Sequence, residues 1–146
     1  MPKSLIDYVL VFRNMPVPAL LLSPDYVIIG ANEAYEEISG RSLEALEGQS
    51  IFAAFPDNPS EPGATGTSNL RDSLDRACES GNCDVMALQR YDVEEPGNPG
   101  EFVERYWCPV NAPVVGPDGS TTMVIHVVEE VSALISKFVE AQAASA

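Results

Sequence analysis

The stretch Tyr26–Gly48, YVIIGANEAYEEISGRSLEALEG, decides the fold. Val27, Ile28 and Ile29 form a short apolar run of β-branched residues, which favours a strand. Gly30 and Ala31 end it with almost no side-chain bulk. Asn32 is suited to cap a helix, its side chain accepting from backbone N–H groups two or three residues on. Ala34, Tyr35 and Ile38 make an apolar stripe on that helix. Gly40 suits the left-handed position after the last turn. Ser42 offers a second cap, and Leu43, Ala45 and Leu46 start a turn that Gly48 stops. Helices this short are unstable alone in water. Packing across the face of a sheet is expected to hold them.

The order Val27-Ile28-Ile29, Asn32-x-Ala34-Tyr35, Gly40-Arg41-Ser42 and Glu44-x-Leu46-x-Gly48 resembles the front half of a PAS domain. The resemblance is to the bacterial sensory module found at the input end of sensor histidine kinases, and it extends over residues 16–132. It implies an α+β fold: a five-stranded antiparallel sheet with short helices across one face. The implied spatial order of strands is second, first, fifth, fourth, third. Residues 1–15 then form an N-terminal flanking helix, and residues 133–146 begin a C-terminal connector helix.

The totals agree with one domain of 146 residues, 45% of them hydrophobic. Aromatic residues are 8%, so any pocket is mostly aliphatic. Acidic residues number 22 against 8 basic, giving a formal charge of −14. Such a surface repels nucleic acid and anionic membranes, and neither is expected as a partner. Cys78, Cys83 and Cys108 cannot all pair within one chain and match no common zinc spacing. Three reduced thiols in a cytoplasmic protein are expected. No signal peptide or run of transmembrane length is read.

At the N-terminus, Ser4-x-x-Asp7 resembles a capping box. Leu5, Ile6, Val9, Leu10 and Phe12 follow at helical spacing, until Pro16 and Pro18. This helix either folds wholly onto its own core or gives a face to a partner. The resemblance implies the second, a homodimer with Leu5, Val9 and Phe12 in its contact. Ala19–Leu22 is a strand, Ser23-Pro24-Asp25 a turn, and Val27–Ala31 the next strand. Residues 51–55, IFAAF, are another apolar turn. Residues 56–68, PDNPSEPGATGTS, form a loop. Ser68 or Asn69 caps a longer helix that Gly81 ends. On its outer side Arg71 with Asp75, and Asp72 with Arg76, stand four apart.

The back half reads as strands at Val85–Tyr91, at Phe102–Trp107 with a continuation past Pro109 to Val115, and at Thr121–Val131. Residues 92–100 and 116–119 are the turns between them. Ser132 can cap a closing helix bearing Leu134, Ile135, Phe138 and Val139. Tyr106-Trp107, the Pro113–Gly119 turn and Glu130-Val131-Ser132 again resemble PAS. The last triplet stands where many PAS domains have Asp-Ile-Thr, the junction that passes signals to the output helix.

Little catalytic chemistry is legible, and no enzyme is expected. His126, the only histidine, lies mid-strand and reads as structural or pocket-lining rather than as a metal ligand. The haem-binding relatives take a histidine from the longer helix, and Leu70–Ser80 has none. The flavin-binding relatives carry Gly-x-Asn-Cys-Arg-Phe-Leu where this chain has Gly48-Gln49-Ser50-Ile51-Phe52, without the reactive Cys. The cofactor, if any, is left open. Gly63-x-x-Gly66 lacks the Lys-Ser/Thr ending of a phosphate loop.

The resemblance places a small-ligand pocket between the inner sheet face and the helices. Tyr35, Ile38, Ile51, Phe55, Leu70 and Leu74 would surround it, with Met86, Leu88, Trp107 and His126 from the sheet. Trp107, Asn111 and His126 are the expected polar contacts. The alternation leaves the face of those three open, and each lining residue also reads as plain core. The expected function is a sensory module that binds a small ligand or a partner and signals through Glu130, Val131 and Ser132. The output domain, such as a histidine kinase, would lie in cis or in trans. The alternative is a ligand-free dimerisation module.

Overall fold

The quoted stretch folds as read. A computed structural model describes residues 5–95 and 97–145. Its elements are α1 (Tyr8–Asn14), β1 (Ala19–Leu22), β2 (Ile28–Ala31), α2 (Glu33–Ser39), α3 (Leu43–Leu46), α4 (Ile51–Ala54) and α5 (Gly66–Ser80). Then come β3 (Asp84–Val85), β4 (Gln89–Arg90), β5 (Val93–Glu94), β6 (Phe102–Val103), β7 (Tyr106–Trp107), β8 (Val110–Val115), β9 (Thr121–Val127) and α6 (Ser132–Ser145).

Asn32 is fully buried and does more than cap α2. Its Oδ1 accepts from the N–H of Tyr35 and from that of Ala19, each at 3.0 Å, and its Nδ2 donates to the Val17 carbonyl at 2.8 Å. One side chain thus ties α2 to the start of β1. Gly40 ends α2 at φ 69°, the left-handed position that costs a residue without Cβ nothing. Glu36 joins three elements. It accepts from the Leu43 N–H at 2.6 Å and from Arg13 at 2.8 Å, and these contacts hold its carboxyl below the usual range. Arg13 also donates to the Ala31 carbonyl, which pins α1 beside α2.

The main sheet is antiparallel in the order β2-β1-β9-β8-β3, the expected order. Leu20, Leu22, Val124, His126 and Asn111 face the helices and are buried. Leu21, Ala112, Val114, Ile125 and Val127 face the other way and are half-buried. The core joins that inner face to Tyr26, Tyr35, Leu46, Ile51 and Leu74.

Three boundaries depart from expectation. The first helix starts at Tyr8, where Asp7 caps it by accepting from the Leu10 N–H at 3.1 Å. Leu5 precedes it and is exposed, and Ser4 lies outside the described residues. Helix α5 starts at Gly66, ahead of Ser68 and Asn69. Asp57 from the preceding loop meets its N-terminus, accepting from the Thr67 N–H and hydroxyl. Asp75 and Arg76 bond outside their own helix, Asp75 to the Tyr26 hydroxyl and Arg76 to Asp84, while Arg71 lies over the Phe52 ring.

The third departure shapes the site. The expected strand at residues 85–91 is broken by a bulge. Asp84 and Val85 pair with Asn111 and Val110, and the Met86 N–H donates to the Pro109 carbonyl. Pairing resumes with Gln89 opposite Trp107. Ala87 and Leu88 therefore oppose Cys108 alone. A bulge adds twist and bends its strand, and here Pro109 has no N–H to keep the ladder regular. Beyond it, β4 with β7 and β5 with β6 form an arm that reaches out to the Glu95 N–H, which donates to the Glu101 carbonyl. On the other side of the same strand, the register from Val114 opposite Met123 runs without slip to Val131 opposite Tyr106.

Candidate functional site

Between the inner sheet face and the helices lies a cavity of about 80 Å³. Its roof is Tyr35 and Ile38 of α2, Ile51 and Phe55 around α4, and Gly66 and Leu70 of α5. Trp107, Pro109, His126 and Val128 form the floor. Met86 and, on the arm, Gln89, Tyr91 and Val93 close the side. The Tyr35 and Phe55 rings meet edge to face at 5.7 Å, and Arg41 lies over Phe55 at 5.1 Å.

One rung of the sheet carries the polar chemistry. Asp84, Asn111 and His126 are register partners on three adjacent strands. His126 Nδ1 is 2.6 Å from Asn111 Oδ1, Asn111 Nδ2 donates to Ser73 Oγ at 2.8 Å, and Ser73 donates to Asp84 at 2.6 Å. Arg76 holds Asp84 from outside with two bonds of 3.0 Å. Arg76 first, then Ser73, keep the Asp84 carboxyl below its usual range. At the inner end, burial pushes His126 down to about 4. The imidazole is neutral at physiological pH.

Trp107 joins the cavity to the C-terminal helix. Its Nε1 donates to the Tyr91 carbonyl at 2.8 Å, fixing the arm against the floor. Its neighbour Tyr106 bonds the start of α6: the Tyr106 N–H donates to Ser132 Oγ at 2.9 Å, and the Val131 N–H donates to the Tyr106 carbonyl at 2.8 Å. Glu130 Oε1 lies 3.8 Å from Arg105. Ser132 is the first residue of α6, and its hydroxyl serves this strand contact rather than a helix cap.

The fold matches a known family. A family model described as PAS fold matches residues 12–134. The chain belongs to the PAS family. Its fold is similar to the PAS domain of a Colwellia psychrerythraea protein, with TM-score 0.67 and 13% identity over 86% of this chain and 95% of that one. It is similar to a sensory box sensor histidine kinase from Vibrio cholerae, with TM-score 0.56 and 19% identity over 85% of this chain and 88% of that one. The PAS domain of nitrogen regulation protein NR(II) from Vibrio parahaemolyticus gives TM-score 0.57 and 16% identity over 88% of this chain and 99% of that one. At such identities the likeness is one of fold. No curated protein matches. PAS domains are sensory signalling modules, of the kind that the Vibrio cholerae kinase carries.

In this PAS domain Tyr35, Ile38, Ile51, Phe55, Leu70, Met86, Trp107 and His126 come together around the cavity. Three other expected lining residues do not. Leu74 is fully buried in the core away from the wall. Asn111 stands behind His126 with both ends of its amide engaged. Leu88 is 48% exposed on the outside. Period-two alternation puts Met86 and Leu88 on one face, and the bulge between them breaks that phase. The same slip turns Gln89, Tyr91 and Val93 inward, which residue-by-residue reading missed. Their own spacing of two was the available signal. Ser39, Gly66, Pro109 and Val128 were also missed. Trp107, expected to make a polar contact, has its N–H committed to Tyr91. Among the described residues no three His, Cys, Asp or Glu side chains converge as a metal site requires. No described helix is long and apolar enough to cross a membrane.

Proposed function

We propose that this PAS domain is a cytoplasmic sensor that binds a small molecule in the cavity and signals through α6. The observation that carries the reading is β7. Trp107 forms the cavity floor, and Tyr106 beside it makes two hydrogen bonds to the start of α6. A ligand that moves the floor acts on α6 with no loop between, provided the two arrangements differ in ligand affinity. Residues 16–132 would be the sensing unit and residues 133–146 the connector to an output domain, such as a histidine kinase, in cis or in trans. The test fuses the chain to a kinase. Glu130→Ala and Ser132→Ala are expected to shift basal activity and blunt any ligand response. Unchanged activity and response in both variants refute the coupling.

Exposed apolar surface favours a second, compatible reading as a dimerisation module. Val9 is 73% exposed, Leu134 65% and Phe138 59%. The outer sheet face is also apolar and half-exposed. A second copy would cover these surfaces, with Leu5, Val9 and Phe12 at the N-terminal contact and no role for nucleic acid or membrane. Analytical ultracentrifugation of the full chain and of a chain lacking residues 1–15 tests the contact. A dimer lost on truncation supports this contact; a monomer in both preparations removes it.

A further inference from the structure

The hydrogen-bond chain behind His126 has a direction, and the direction specifies the ligand. Asp84 is ionised, so it can only accept. Ser73 has one proton, and at 2.6 Å it gives that proton to Asp84. Ser73 Oγ is then an acceptor toward Asn111, whose amide nitrogen must face it at 2.8 Å. The amide oxygen of Asn111 is left facing His126 at 2.6 Å, so Nδ1 carries the imidazole proton. A neutral imidazole with Nδ1–H presents a bare lone pair at Nε2. The ring's one hydrogen bond to a described residue is at Nδ1, and since no buried side-chain nitrogen among the described residues is left unpartnered, Nε2 is open to the cavity that His126 lines. Arg76, half-exposed, anchors the chain at the protein surface.

The other polar groups of the wall are largely spent. Trp107 Nε1 goes to Tyr91, Gln89 bonds Asn69 and two backbone carbonyls, and the Tyr91 hydroxyl goes to Pro56. The Tyr35 hydroxyl is the one further wall group without a hydrogen bond among the described residues, and Tyr35 is 7% exposed. The remaining lining is aliphatic and aromatic. No lining side chain is charged, and the Arg41 guanidinium behind Phe55 is engaged by the Ala54 carbonyl, so an ionised guest would lose its hydration without a direct ion pair.

Resting on the ligand-binding reading above, we infer that the cavity selects a small, uncharged, mainly apolar molecule that donates one hydrogen bond, from a hydroxyl or N–H group, to Nε2 of His126. A carboxylate or a bare ether would leave Nε2 unpaired, because neither can donate, and could meet only the Tyr35 hydroxyl. Asn111, Ser73 and Asp84 act as positioning residues that fix the acceptor end of the ring.

Pyrrole and furan test this, five-membered rings alike in size and small enough for a cavity of about 80 Å³, the first with an N–H donor and the second a bare ether. In the ¹⁵N-labelled wild-type protein, pyrrole is expected to move the His126 Nε2 resonance, and furan is not. The affinity ratio of pyrrole to furan is expected to fall about tenfold in His126→Phe, the loss of one hydrogen bond to a neutral acceptor. The resonance test needs no variant, so it stands even if His126→Phe folds poorly. If either probe binds the wild type while Nε2 stays still and the ratio is unchanged by the substitution, the selection rule is overturned and the ligand reading survives. If neither probe binds the wild type, both fall.

Discussion

His126 is neutral because it is buried, and that has a signed consequence for stability. Its folded value of about 4 lies below its ordinary 6.5. Below pH 6.5 the unfolded chain takes up a proton that the folded chain refuses, so stability is full above that pH and falls toward pH 4. From pH 7 to pH 5 the loss is about 2 kcal/mol. Urea denaturation of wild type and His126→Phe at the two pH values checks it: the wild type should lose about 2 kcal/mol more than the variant. Equal slopes would show that the ring is protonated without penalty. Asn32 is the second residue with a large expected effect. Replacing it with Ala strands two buried N–H groups and a carbonyl, so thermal or urea melts should show a loss of about 2–4 kcal/mol. A loss typical of a lone exposed cap, about 1 kcal/mol, would mean that water reaches those groups.

The arm closes the cavity only if it lies close against α5, and Gly66 permits that approach. A Cβ there would stand 2.3 Å from Tyr91 Cδ2, and the Tyr91 ring is tethered by its hydroxyl to Pro56 at 2.8 Å. Gly66→Ala should therefore destabilise by about 1–3 kcal/mol, although Ala is the better helix former by about 1 kcal/mol. A melt that shows stabilisation would place the arm elsewhere. The elements themselves were legible in the sequence, because Asn32, Gly40, Ser42 and Gly81 mark ends with side chains or conformations that have one main use. The bulge was not legible in its own residues, since Ala87 and Leu88 carry no feature that announces it and the one signal, Pro109, lies on the facing strand; the face of Leu88 follows from that slip. The Asp84–Asn111–His126 rung was also illegible. It depends on the register of three strands and on the phase of α5, which brings Ser73 over them.

At the scale of the molecule, acidic charge and exposed apolar surface oppose each other. Two copies, each of charge −14, repel at long range, so the dimer of the second reading should tighten as salt rises, and sedimentation at low and high ionic strength measures this. A dimer that weakens with salt would instead be held by ion pairs. On the proposed function, the floor of the cavity and the start of α6 move as one mechanical unit through Tyr106 and Trp107. Filling the cavity from the far side tests that without a ligand. Leu70→Phe adds bulk at the roof, and amide hydrogen exchange then reads each backbone bond. The predicted result is a several-fold change at the Tyr106 and Val131 amides, with the β1–β2 edge at Leu22 and Ile28 unchanged. A response confined to the roof and the arm, with Tyr106 and Val131 exchanging as in the wild type, would contradict it.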